Sequence, residues 1–337
     1  MFKKIAQKLA GKAKVVSQAN AAGHFGVRLA LIQLTHLLPA FERLFPNAFR
    51  RAKHKAILDY LRKHYSHVIE KHRNTMGENP LLTPDCPIFV CWFQGEEAMP
   101  PVVKACYASI KQFAQSHPVV LITSENLAEY VQIPEHIIRK LAGGKITLTH
   151  FSDIIRAALL SKYNAIWLDA TIYLTAPLDW PLTPIHSIKG HAAASSSIAV
   201  TRWSPLCRTL PVYARWAGYC FGGGQKLFSF MLDAFCEYWQ QEDTLIDYFL
   251  IDYFIELAYE KFPETKRLLD EIPINNADAE YFYNRFTDPF DKSALAKILA
   301  HCSIFKLNWK FKQRGINTDD LGENTIYRKI IDGTFLS

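Results

Sequence analysis

Three residues of the chain have types and spacing suited to chemistry: Asp153, Arg156 and Asp169. Asp153 and Arg156 lie three apart in FSDIIRAALLSK, where Ile154, Ile155, Ala158 and Leu159 recur at helical spacing, so acid and guanidinium share one helix face. Asp169 closes the short apolar run AIWL, which reads as a buried strand. Open α/β sheets place their ligand crevices at the carboxyl ends of strands. A carboxylate there can hold a divalent cation, and the cation can neutralise a diphosphate. A guanidinium fork can meet phosphate or sugar hydroxyls. The same spacing also suits an Asp–Arg ion pair beside an Asp in a strand-end turn, and residue types alone leave both readings open.

A second acidic group, Asp243, Asp247 and Asp252, falls in residues 227–261, which read as one long helical region. At 3.6 residues per turn Asp243 and Asp247 share a face, whereas Asp247 and Asp252 diverge by roughly 140°. One ligand can therefore meet only one of the latter two, and Asp247 is the candidate. A solvated acidic face fits equally well. Gly222-Gly223-Gly224-Gln225-Lys226 lacks the spacing of a P-loop and has Leu227 where a hydroxyl should hold magnesium, so it reads as a flexible turn. His54, His64, His67 and His72 are spaced irregularly for zinc and read as part of a basic helical surface. Ser195, Ser196 and Ser197 lack the glycines of a nucleophile elbow.

These residues need a scaffold, and the pattern supplies one. Apolar runs at 88–93, 119–123 and 165–168 alternate with helical stretches at 102–113, 134–141 and a helix capped by Ser152. Strand–helix–strand alternation points to an α/β body over residues 81–337. Residues 1–80 read as a basic helical segment and linker. Within them Val27, Leu31, Leu34, Leu38 and Phe41 form one apolar stripe, and Phe2, Ile5, Leu9 and Ala13 another. With 49% hydrophobic and 21% charged residues, the 337-residue chain can bury a large core, which excludes global disorder. The net charge of +7 is uneven: residues 1–75 hold 15 Lys or Arg against Glu42, Asp59 and Glu70, so the remainder is acidic. Such a segment suits a helical cap on the body or an anionic membrane surface. Nucleic acid is not an expected partner, since no reader motif accompanies the charge. Seven scattered Cys without a C-x-x-C pair argue against a disulfide framework. The start lacks a signal peptide's apolar run, and residues 25–41 are interrupted by Arg28 and His36. The expected location is the cytoplasm, at most peripheral on the inner membrane.

The block FSDIIRAALLSKYNAIWLDAT resembles the S-D-x-x-R to L-D-x-[DT] block of the capsular polysaccharide synthesis protein family, related to family 32 glycosyltransferases with a GT-A fold. PIFVCWFQG resembles that family's opening strand, YWQQEDTLIDYFL a later segment, and IFKLNWKFK its C-terminal K-L-[ST]-W-K. Together they cover residues 86–312. The resemblance implies a GT-A-like, nucleotide-sugar-binding α/β fold, with a mixed central sheet flanked by helices. It implies that Trp92, Phe93, Gln94 and Gly95 line the nucleotide, and that Asp153 and Arg156 meet the donor sugar and phosphates. Lys306, Trp309 and Lys310 would close over the diphosphate. Asp169, Thr171 and Asn308 would hold Mn²⁺ or Mg²⁺. Thr171 stands where a second acid is usual and Asn308 where Ser or Thr is usual. Asn164-Ala165 replaces a Gly pair. The implied activity is sugar transfer, with retention, from a nucleoside-diphosphate sugar (UDP before GDP) to a capsule- or lipopolysaccharide-type glycan acceptor. An inactive membrane- or polyanion-binding protein, and a metal-dependent phosphodiesterase using the same acidic crevice, are the other two readings.

Overall fold

The computed structural model describes residues 20, 22–34, 46–73, 79–189, 217–311 and 315–337. Among them, alternation along short apolar strands builds the molecule. Strands β1 (Ile88–Cys91), β2 (Val119–Ile122), β3 (Ile166–Leu168), β5 (Ile185–Ser187) and β6 (Cys220–Gly223) form one sheet in the order β2-β1-β3-β6-β5. β1 pairs in parallel with β2 and β3, while β6 runs antiparallel to β3 and β5, so the sheet is mixed. Successive side chains face opposite sides. Ile88, Val90, Ile166 and Leu168 enter one hydrophobic core, and Phe89 and Trp167 enter the other.

Helices cover both faces, as the α/β pattern requires. We number them α1 (Val27–Leu34), α2 (Pro46–His64), α3 (Ser66–Arg73), α4 (Pro101–Phe113), α5 (Leu127–Tyr130), α6 (Glu135–Ala142), α7 (Leu148–Lys162), α8 (Gln225–Gln241) and α9 (Leu250–Lys261). On one face α4 buries Val102, Val103 and Cys106. On the other, α7 buries Ile154, Ile155 and Leu159 against Leu227, Met231 and Phe235 of α8. Helices α2 and α3 send Ile57, Leu61 and Val68 into that same core, so they pack with the body.

The chain leaves β1 for β2 on one side and returns to β3 on the other side of β1. The strand order therefore reverses at β1/β3, and the carboxyl ends there splay apart into a crevice. A two-stranded antiparallel ribbon, β4 (Ile172–Leu174) with β7 (Ile304–Lys306), borders it and sets Lys306 opposite Ile172.

The structure departs from the sequence reading at several places. Thr147, not Ser152, caps α7, accepting from the His150 N–H, and Ser152 lies inside the helix. The long helix over 227–261 is two helices, α8 and α9, separated by residues 242–249. The glycine run is no flexible turn: Gly222 and Gly223 belong to the buried strand β6, and Gly224 begins α8 in the left-handed region. In α1 the inward residue is Leu29, with Phe25 just before the helix, while Val27 and Leu31 are exposed. His54 and His72 are buried, bonded to Tyr253 and Asp233, and not surface groups. Residues 2–14, Leu38, Phe41 and the Ser-rich residues 195–197 lie outside the described residues. No described helix is long and apolar enough to cross a membrane.

Candidate functional site

Asp169 is the hub of the crevice. Its Oδ1 accepts from Arg156 Nη2 (2.9 Å) and from Trp167 Nε1 (2.8 Å), and its Oδ2 accepts from Lys306 Nζ (2.5 Å). Arg156 reaches across from α7, where its Nη1 also donates to Asp153 Oδ1 at 3.1 Å. The guanidinium, only 4% exposed, lies over the Trp167 ring at 4.8 Å. The Asp153–Arg156 ion pair that the i, i+3 spacing suits exists, and both residues line the crevice. Burial pushes the Asp169 carboxyl up, but Lys306 and Arg156 outweigh it and hold the group below its ordinary value.

The backbone fixes these side chains tightly. The Asp169 N–H donates to Tyr219 O (2.9 Å), and the Ile172 N–H closes a turn on Asp169 O (2.8 Å). The ribbon continues past β7 through a Leu307 N–H to Thr171 O bond of 2.8 Å, which carries residues 308–310 across the mouth.

The crevice has two chambers that share Asp169, Lys306, Thr149, Ser152, Tyr248 and Tyr283. The larger, about 480 Å³, contains Trp92, Phe93, Gln94, Thr171, Asn308, Trp309 and Lys310. Trp92 and Trp309 meet edge to face at 5.4 Å, and Phe93 stacks on Phe151 at 5.4 Å. Gly95 does not line the chamber. It turns the chain out of β1 at φ +82°, a conformation glycine adopts without a Cβ clash. The smaller chamber, about 230 Å³, contains Asp153, Arg156, Tyr219, Asp252 and Glu280.

Of the acids singled out from sequence, Asp243 is held by Lys140 and Lys145 away from the crevice, and Asp247 is not brought there either. It pairs with Lys53 at 2.6 Å and its Oδ1 accepts the Phe249 N–H at 2.9 Å. Residues 242–249 are unwound and break the continuous-helix geometry, so Asp252 in the first turn of α9 lines the chamber instead. Sequence reasoning also passed over His150. Trp239 Nε1–H donates to its Nε2 (2.9 Å), which places the neutral ring's proton on Nδ1, 3.5 Å from Asp153 Oδ2. Tyr219 and Tyr248 arrive from two separate loops and Glu280 and Tyr283 together from one short 3₁₀ segment; of these only Tyr248 falls within a sequence block that resembles the family.

The donor set does not fit a divalent cation. Hard cations take oxygen ligands with available lone pairs, carboxylates foremost. Here each Asp169 oxygen already faces a cationic side chain, Thr171 offers a neutral hydroxyl, and Asn308 Oδ1 accepts the Lys310 N–H at 2.9 Å. Among the described residues no three His, Cys, Asp or Glu side chains converge as a metal site.

Fold and crevice together define an α/β protein with a charged, aromatic-walled crevice at the switch point of its sheet. Residues 40–330 match the capsular polysaccharide synthesis protein family, and the chain belongs to it. That match begins well before residue 86, so α2 and α3 are family structure too. No curated protein matches the chain in sequence. Among solved structures the chain is similar to the apo structure of WbbM, a bifunctional glycosyltransferase, at 10% identity and a TM-score of 0.33. The similarity covers 77% of this chain and 53% of that one, so the chain spans about half of its length.

Proposed function

We propose that the chain is a glycosyltransferase, moving a sugar from a nucleoside-diphosphate sugar to a hydroxyl of a capsule- or lipopolysaccharide-type glycan. The observation that carries this is the Asp169 carboxylate clamped by Arg156 and Lys306 where the two chambers meet. The base and ribose occupy the larger chamber against Trp92 and Trp309, UDP in preference to GDP. The sugar occupies the smaller one, with Asp153, Asp252 and Glu280 as acceptors for its hydroxyls. The diphosphate then lies at the junction, beside Lys306 and Lys310. Cationic donors fixed where negative charge develops lower the barrier to its departure. Transfer proceeds with retention, the leaving phosphate oxygen taking the acceptor's proton. The basic residues 1–75 hold the enzyme at an anionic membrane surface, near a lipid-linked acceptor.

The test is product analysis of the purified chain with a panel of UDP-, GDP- and CMP-sugars, with Asp169→Asn as the control. Release of nucleoside diphosphate from one donor, lost in the variant, is expected. Release of nucleoside monophosphate would make the chain a phosphodiesterase, and no release or binding with any donor would remove the donor-site assignment.

A further inference from the structure

Lys306 occupies the position where a cation is needed. Strand β7 fixes its backbone opposite Ile172, and its own N–H donates to Ala279 O at 2.6 Å. Its side chain is 17% exposed, with the ammonium 2.5 Å from Asp169 Oδ2 and 5.2 Å from the centre of the Tyr219 ring. It lines both chambers. A divalent ion on Asp169 Oδ2 would have to displace this ammonium, and Thr171 brings no second carboxylate to compensate. Like charges at that separation repel, whereas one ammonium already neutralises the carboxylate and keeps further donor protons for a phosphate oxygen.

We propose that Lys306, seated on Asp169, serves in place of a divalent cation, and that the chain binds nucleoside diphosphate and transfers sugar without metal. This rests on the donor reading above. In the step itself the bond from the sugar's anomeric carbon to the β-phosphate oxygen breaks, and its electron pair stays on that oxygen. The acceptor hydroxyl oxygen bonds to the anomeric carbon and its proton passes to the departing phosphate. Lys306 donates a hydrogen bond to the phosphate throughout and remains protonated, so charge and atoms balance with no further reactant.

The experiment has two independent readouts on the full chain. First, Mn²⁺ alone is titrated with protein and its free spin-resonance signal is followed; the signal persists at millimolar protein if no site exists. Second, UDP and GDP are titrated calorimetrically in EDTA and in Mn²⁺. Affinity for the nucleotide that binds stays within about two-fold between the two conditions. Lys306→Ala loses at least ten-fold in EDTA and Lys306→Arg recovers part of it, with melting curves confirming both variants folded. Stoichiometric Mn²⁺ uptake, or nucleotide binding that appears only with Mn²⁺, overturns the proposal while leaving the donor reading intact. No binding of either nucleotide under either condition overturns the donor reading, and this inference with it.

Discussion

The Asp169 carboxylate and the Lys306 ammonium lie 2.5 Å apart although 137 residues separate them in the chain. The contact ties the end of the central strand β3 to the C-terminal ribbon, so the two halves of the crevice are fastened at its most charged point. Arg156, almost wholly buried, completes the arrangement by pairing with both Asp153 and Asp169.

Removing one partner of a buried ion pair costs roughly 3–5 kcal/mol, because the other charge is left uncompensated. Asp169→Ala is therefore expected to lower stability as well as abolish turnover. Asp169→Asn keeps an oxygen for one cation and loses less, which chemical denaturation of both variants checks. The sign with pH follows from the depressed Asp169 carboxyl. Its stabilisation is fully present above the unfolded value near 3.8 and disappears as pH falls through the lower folded value. The crevice should thus hold its geometry throughout the neutral and mildly acidic range, with the Asp169 contribution lost only in strong acid.

Glu256 behaves in the opposite sense. Burial pushes its carboxyl up to about 7, with Glu260 adding to the rise, and its Oε2 has no hydrogen-bond partner. Between pH 4.5, the ordinary value, and 7 the folded chain holds a proton that the unfolded chain releases, so stability falls as pH rises through that window. Glu256→Gln removes this slope, and its advantage over the parent at pH 8 is on the order of 3 kcal/mol. Denaturation midpoints at pH 5 and pH 8 measure it; equal slopes in parent and variant would refute it.

Gly223→Ala is expected to destabilise by about 4 kcal/mol or more. Gly223 has φ +69°, and a Cβ there would lie 2.2 Å from Pro184 O, a backbone atom that cannot swing away. At Gly222 the obstacle is the Trp180 indole at 2.5 Å. Thermal melting distinguishes this from a flexible turn, where alanine would be tolerated.

Local signals in the sequence sufficed for the parts of the molecule built from local contacts. The alternation of 88–91 and 166–168 marks strands β1 and β3, and the i, i+3 spacing of Asp153 and Arg156 puts them on one face. What depends on distant partners was not legible. Strand β6 is hidden in a glycine-rich run, because its residues are chosen for the close approach of Trp180 and Pro184 rather than for β-propensity. The strands β4 and β7 are three residues each and gain their identity only by pairing. Asp247 lies outside the crevice because Glu242 leaves the helix to bond Tyr60 and His24, which nothing in the apolar periodicity shows. The family resemblance points to Lys306, but its seat on Asp169 exists only once the β4–β7 ribbon pairs.

The aromatic wall yields a prediction that separates binding from chemistry. Trp309 is 37% exposed, touches Trp92 edge to face, and has Lys310 Nζ 5.7 Å from its ring centre. It lies in the larger chamber with Asp169 and Lys306 at the junction. An exposed indole contributes little to the core, so Trp309→Ala should leave the melting temperature nearly unchanged. Loss of a base-stacking surface costs about 1–3 kcal/mol, spent equally in the ground and transition states. The donor KM should therefore rise ten-fold or more with kcat largely retained, the pattern of uniform binding. Steady-state kinetics with the preferred donor reads both constants. A fall in kcat at unchanged KM would instead place Trp309 at the reacting carbon, which would require the nucleotide to lie in the smaller chamber and the sugar in the larger.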